Sequence, residues 1–309
     1  MKTVYLIAPW FPAGQEFSSN RYRFTSCGCV CSADGLLVWW KPHDLLFSYA
    51  GPKGFFCPEP VEVPSVWQEQ RWVEITRNLD PAFVFRPGHP CRENQVPHDT
   101  HHVPLTMNRN QKRKRRAVAV VSNSSADKER LYPSIRVRNA LCCSSHVDLY
   151  GNPDNWKTYR RNWLGKRMPP ANYRGAFPGN WTADELIQLF SEYKVVVCLE
   201  SSCELNYFTE KFVNAVRGGA VPVYHAHESV RHGILSNAAW IDPADYGFDS
   251  ERTLQAALNA DLLKYQEVND HWLKSEALEK LESSRVRDDI CDRMFTLDRN
   301  LIAPSKNKN

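Results

Sequence analysis

The chain has 309 residues, 42% of them hydrophobic and 24% charged. That is a globular composition with length for two ordinary domains, and it excludes a largely disordered chain. A formal charge of +4 favours anionic ligands such as nucleotide phosphates, short of the basicity of a dedicated nucleic-acid binder. No run of about 18 apolar residues reads as a membrane span.

In chain order, MKTVYLIAPWFPAG reads as a first strand, Val4–Ala8, rather than a signal peptide, because Pro9 and Pro12 break its apolar run. Further short strands are expected at Gly35–Trp40, Gly54–Cys57 and Ala82–Phe85. Cys27, Cys29 and Cys31 alternate along a presumed strand and read as small buried residues of a reducing compartment. The ten cysteines include no CxxC pair, so no structural zinc is expected.

Between Pro87 and Arg116 the composition turns to His, Asn, Arg and Lys, ending in RNQKRKRR. This places domain limits at 1–108, a basic linker at 109–116, a second domain at 117–285 and a C-terminal tail or helix at 286–309. The basic run reads first as a solvated linker, then as a lure for an anionic ligand, and last as a nucleic-acid patch. His98, His101 and His102 lie in irregular sequence without metal-ligand spacing.

Beyond the run, apolar strands alternate with helical segments: a strand at Ala117–Val121, a helix at Ser134–Cys143, a strand at Val147–Tyr150 and a helix at Ala183–Tyr193. A strand at Val195–Leu199, a helix from Thr209, a strand at Val221–Tyr224 and helices at Ser250–Tyr265 and Asn269–Ser284 follow. The alternation predicts an α/β fold with a parallel sheet covered on both faces.

In such a sheet, ligands bind beyond the carboxyl ends of the strands. Glu200 stands there, and Tyr207-Phe208-Thr209-Glu210-Lys211 opens a helix with Thr209 as N-cap and amides that could face an anion. Gly218-Gly219 suits a left-handed helix end before Val221-Pro222-Val223. On spacing alone, this is equally an ordinary βαβ unit with a solvated helix start.

The residues resemble the donor-site signature of the α-1,3/4-fucosyltransferases. The match runs through Glu200, Tyr207-x-Thr209-Glu210-Lys211, Asn214-Ala215 and Gly219-Ala220-Val221-Pro222-Val223. Upstream, Val120-Val121-Ser122-Asn123, Arg136-Val137-Arg138 and Val147-Asp148-Leu149-Tyr150-Gly151 are also similar to family segments. The resemblance covers 117–250 well and the first hundred residues poorly.

It implies a GT-B architecture, two Rossmann-like domains whose parallel sheets face a cleft, with the acceptor domain first and the nucleotide-sugar domain second. It further implies inverting transfer of L-fucose from GDP-β-L-fucose to a glycan hydroxyl. Arg138 and Lys211 would neutralise the diphosphate. Glu200, Ser201, Tyr207, Thr209 and Glu210 would line the donor site. Ser201 replaces the family's asparagine and Leu199 its aromatic residue, which leaves room for another nucleotide sugar.

The base would be a first-domain carboxylate: ungapped alignment points to Glu59, and the Glu-x-Pro-Ser pattern to Glu62. His43 ends a strand and could line the acceptor cleft, and His225 and His227 follow Val221–Tyr224 and could touch the donor base or the acceptor. No Asp-x-Asp occurs, so no divalent metal or other cofactor is expected. Neither a P-loop nor a dinucleotide fingerprint occurs. The expected partners are a nucleotide-sugar donor and a glycan acceptor, with no nucleic acid. The location would be cytoplasmic for a complete soluble chain, or the Golgi lumen for a fragment of a longer one. A module that binds nucleotide sugar or glycan without turnover is the alternative class.

Overall fold

The computed structural model describes residues 1–40, 43–57, 80–87, 95–97, 100–101, 105–110, 112–121, 126–151, 168–177 and 184–302. The chain forms two compact units, one from Met1–Asp99 with Lys280–Asn309, the other from Thr100–Glu279.

In the first unit the strands are β1 (Lys2–Ile7), β2 (Glu16–Ser18), β3 (Tyr22–Thr25), β4 (Gly35–Trp39), β5 (Lys53–Phe56) and β6 (Val84–Phe85). They form one sheet in the order β2-β3-β1-β4-β5-β6. The β2 strand pairs antiparallel with β3, and the other pairings are parallel. Alternation splits β4 between two faces. Leu37 and Trp39 join a core with Val4, Leu6, Phe24 and Phe56, while Leu36 and Val38 join Leu46, Phe55 and Cys57 on the other side. Burial on both faces explains the continuous apolar run at this strand.

The first face is closed by the last helix, Ser283–Ile302, through Val286, Ile290, Met294 and Phe295. Those positions recur at helical spacing, so one stripe of the helix is apolar. The segment expected as a separate tail at 286–309 therefore supplies core to the first unit.

The cysteine expectation is corrected here. Gly28, at φ 72°, turns the chain after β3, and Cys29, which precedes the short 3₁₀ turn Val30–Ser32, forms a disulfide with Cys31 within it. Both are exposed rather than stacked on a buried strand face. The expected strand at Ala82–Phe85 shrinks to two residues, because Pro81 opens a 3₁₀ turn through Phe83.

The second unit carries β7 (Lys114–Val121), β8 (Val147–Gly151), β9 (Tyr173–Gly175), β10 (Tyr193–Val197) and β11 (Val221–Val223). They form an all-parallel sheet in the order β11-β10-β7-β8-β9. Helices at Pro133–Cys142 and Ser250–Asn259 cover one face, packing Val137, Leu141, Leu254 and Ala257 on Val195, Val197, Val221 and Val223. The helix Glu210–Arg217 connects β10 to β11.

Three expectations for this unit change. The basic run is not a solvated linker, since β7 begins at Lys114. Arg113 donates to the carbonyls of Asn108, Asn110 and Tyr193 at 2.9, 2.8 and 3.0 Å. Burial lowers its pKa to about 10. The expected helix Ser250–Tyr265 is two helices, because Asp261 accepts from the Leu263 and Lys264 amides and caps a new one, Leu262–Trp272. That second helix ends at Trp272, so the expected Asn269–Ser284 helix is not continuous; a short turn at Glu276–Glu279 follows.

Candidate functional site

At the carboxyl end of β10 the chain leaves the sheet at Cys198 and re-enters helix at Glu210. Thr209 holds extended backbone at φ −120°, and its hydroxyl accepts from the Lys211 amide at 3.4 Å. A threonine with a free amide two residues ahead makes this an N-cap.

Glu200 organises the rest. Its carboxylate accepts from the Thr209 amide at 3.0 Å and the Thr209 hydroxyl at 2.8 Å, from Lys211 Nζ at 3.0 Å and from the Tyr224 hydroxyl at 3.0 Å. It is 2% exposed. The side chain expected as a ligand wall is thus turned inward, where charge-assisted bonds offset its desolvation. It fixes the helix start, the lysine and the end of β11 relative to one another.

Lys211 is held charged. Burial alone would lower its pKa, but Glu200 and then Glu210, whose Oε1 lies 3.9 Å from Nζ, reverse that and raise it above the ordinary lysine value. The side chain keeps 32% of its surface exposed, and its ammonium bonds Glu200 Oε2 at 3.0 Å. Burial first, and Glu200 second, push the Tyr224 phenol well above its ordinary value, so it acts here as a donor.

Arg138 comes from the helix Pro133–Cys142. It is buried, and Nη1 lies 3.5 Å from the Glu200 carbonyl oxygen. Arg136, two residues earlier, is exposed. Tyr207 is buried with its hydroxyl 3.4 Å from that of half-buried Ser201. Asn206 adopts φ 58° and donates its amide to Ser229 Oγ at 2.8 Å, pinning the middle of the loop.

The structure therefore gathers Arg138, Glu200, Ser201, Tyr207, Thr209, Glu210 and Lys211 at one sheet edge. Glu59 and Glu62, expected to supply the base, lie outside the described residues, as do Ser122, Asn123, His98 and His102. His101 is buried and bonded to Thr100 Oγ1 at 2.9 Å. His227 caps the helix Glu228–His232, accepting from the Ser229 amide at 3.2 Å, and His43, two residues before the helix Leu45–Ser48, accepts from the Leu45 amide at 3.2 Å. Among the described residues no group of His, Cys, Asp and Glu is placed to hold a metal ion.

Sequence reasoning left Tyr224 out of the site, although its place one residue beyond β11 was a usable signal. It also left out the partners of His225. That ring pairs through Nδ1 with Asp242 Oδ1 at 2.8 Å, meets the Cys203 thiol and packs edge-on against Phe248. Burial opposes its charge, but the bonds to Asp242 and Cys203 raise its pKa to about 9. Asp242 is 2% exposed. Burial opposes its ionisation as well, and His225 and the Ala244 amide overcome this and hold its pKa below the ordinary carboxylate value.

The profile of glycosyltransferase family 10 (fucosyltransferase), C-terminal part, matches residues 110–304. The chain belongs to that family. The GDP-fucose protein O-fucosyltransferase 3 of Bos taurus is 28% identical over 112 residues, which is 36% of this chain and 23% of that protein. The chain thus spans about a quarter of that curated relative's length. A crystal structure of an α1,3-fucosyltransferase is similar at a TM-score of 0.50 and 12% identity, covering 95% of this chain and 90% of that one. A UDP-forming α,α-trehalose-phosphate synthase from Burkholderia xenovorans is similar at 0.50 and 16% identity, covering 85% and 73%. At such identities the likeness is one of fold, the GT-B arrangement of two α/β units, shared with enzymes of different substrates. Among the described residues no helix is long and apolar enough to cross a membrane.

Proposed function

We propose that the chain transfers L-fucose from GDP-β-L-fucose to an acceptor hydroxyl with inversion at the anomeric carbon, without a bound divalent metal. The observation that carries this reading is the Glu200-centred network, which holds the Lys211 ammonium at a strand end of a chain whose residues 110–304 match the family profile.

In the reaction the acceptor oxygen forms a bond to the anomeric carbon as the bond to the diphosphate oxygen breaks. GDP leaves with that electron pair, and a carboxylate takes the acceptor proton. Lys211 and Arg138 meet the charge that grows on the leaving diphosphate, beside the positive end of the helix Glu210–Arg217. Glu59 or Glu62 takes the proton in this proposal. Glu200 acts indirectly by keeping Lys211 in place.

Transfer from GDP-fucose, with UDP-galactose and GDP-mannose as competing donors, tests the donor. NMR of the product's anomeric proton tests inversion, and full activity in EDTA tests metal independence. Loss of transfer in Lys211→Ala with the fold intact by circular dichroism supports the site. Unchanged turnover in that variant overturns it. A glycan is the first acceptor class; a protein hydroxyl is the second, favoured by the name of the bovine relative. Parallel assays on oligosaccharides and on a folded protein acceptor separate them.

A further inference from the structure

Beyond Lys211 and Arg138, the same sheet edge carries a third cation. Val221 and Val223 point to the face covered by helices Pro133–Cys142 and Ser250–Asn259, and His225 lies two residues past the end of that strand. Its ring packs on Phe248, which lies against the same core. Arg138 reaches the Glu200 carbonyl from helix Pro133–Cys142 on this face. His225 is one residue beyond Tyr224, whose hydroxyl bonds Glu200. The histidine and the donor-site residues thus end adjacent, paired strands.

We propose that His225 is an additional anion-holding residue for the diphosphate of the nucleotide-sugar donor, its Nδ1 fixed by Asp242 and its Nε2–H offered to a phosphate oxygen. This rests on the donor reading given above. With Nδ1 committed to a carboxylate, Nε2–H is the remaining donor of the ring. The neighbouring Cys203 thiol is a weak acceptor that a phosphate oxygen outcompetes.

Charge balance points the same way. Glu200 and Lys211 offset one another, and Glu210 adds a negative charge beside them. At the end of β11, His225 and Arg231, whose Nε lies 3.6 Å from Asp242 Oδ2, outnumber the single carboxylate between them. The groups facing His225 are Asp242 before the turn Pro243–Tyr246, the Cys203 thiol of the β10 loop, and Phe248; Arg231, from helix Glu228–His232, acts through Asp242. The side chain keeps 15% of its surface exposed. Protonation to about pH 9 keeps it cationic at neutral pH.

Calorimetric titration of GDP and of guanosine against the full chain, wild type and His225→Gln, at pH 7 and pH 10, tests this. A lost charge-assisted bond predicts GDP binding about 10-fold weaker in His225→Gln at pH 7, with guanosine binding unchanged. The ratio of wild-type to variant affinity for GDP should shrink toward about 1 at pH 10 as the imidazolium deprotonates. His225→Arg should retain GDP affinity at both pH values. Equal GDP binding by wild type and His225→Gln overturns the proposal while leaving the donor reading intact. A parallel loss of guanosine binding overturns it as well, by showing a structural role. Failure of the wild type to bind GDP removes the donor reading and this proposal together.

Discussion

Tyr224 donates its hydroxyl hydrogen to Glu200 Oε1 at 3.0 Å across the ends of two adjacent parallel strands. Twenty-four residues separate the two, and the bond ties the loop after β10 to the point where β11 leaves the sheet. It makes the loop's geometry a property of the sheet rather than of the loop's own sequence.

Tyr224→Phe keeps the ring in its aromatic cluster with Phe208 and Phe212 and removes only the hydroxyl. A bond to a charged, buried acceptor contributes about 2 kcal/mol, so chemical denaturation should show a loss of about that size. The donor KM should rise as Glu200 and Lys211 relax.

Lys211→Ala leaves the Glu200 carboxylate buried with hydroxyl and amide donors but no cation. Breaking a fully buried pair costs about 3–5 kcal/mol. Lys211 is one-third exposed, so the expected loss is nearer 2 kcal/mol. Glu200→Gln, alone and combined with Lys211→Ala, should give a double-mutant cycle with a coupling of about 1 kcal/mol or more. Additive losses measured by urea unfolding would contradict the pairing.

The His225–Asp242 pair sets a pH window. His225 is raised from 6.5 to about 9, so its stabilisation is complete below pH 6.5 and fades as pH rises through 9, a swing of about 3 kcal/mol at most. Asp242 is lowered from 3.8, so its share is present above pH 3.8 and is lost as pH falls through its lower folded-state value. Thermal melts between pH 6 and 10 should show Tm falling on the alkaline side, with that fall much reduced in His225→Gln.

Gly219, at φ 67°, ends the helix Glu210–Arg217, and a Cβ there would run into the Asn108 carbonyl oxygen and lie 2.8 Å from Arg113 Nη2. Gly219→Ala combines left-handed strain with a backbone clash, so a loss of about 2 kcal/mol or more is expected in unfolding experiments. Gly247, at φ 66° with open space around it, is the control: Gly247→Ala should cost only the strain, about 1 kcal/mol.

The second unit was the more legible in sequence. The alternation around Val195–Val197 and Val221–Val223 read directly as buried strands, and Thr209 with Gly218-Gly219 marked both ends of the helix between them. Local signals carry such information, since caps and turns are decided by neighbours a few residues away. The inward turn of Glu200 was not legible, because it depends on Tyr224 from another strand. Nor was the fate of Arg113, a basic residue in a basic run, whose carbonyl partners include Tyr193, 80 residues on. The break at Asp261 was readable, but the apolar periodicity running through Ser250–Tyr265 masked it.

The helix Ser283–Ile302 gives the first unit a particular order of assembly. Val286, Ile290, Met294 and Phe295 complete the core that Val4, Leu6 and Phe24 begin, so the strands made first during synthesis lack one side of their core until the last helix has been made. The unit in between, Thr100–Glu279, has its entire sheet available earlier. Vectorial synthesis therefore reverses the usual N-terminal-first sequence: the middle of the chain can close on itself while the first strands wait. A chain cut before Ser283 would expose the face carrying Leu37, Trp39 and Phe56, which makes aggregation the expected fate of truncated products.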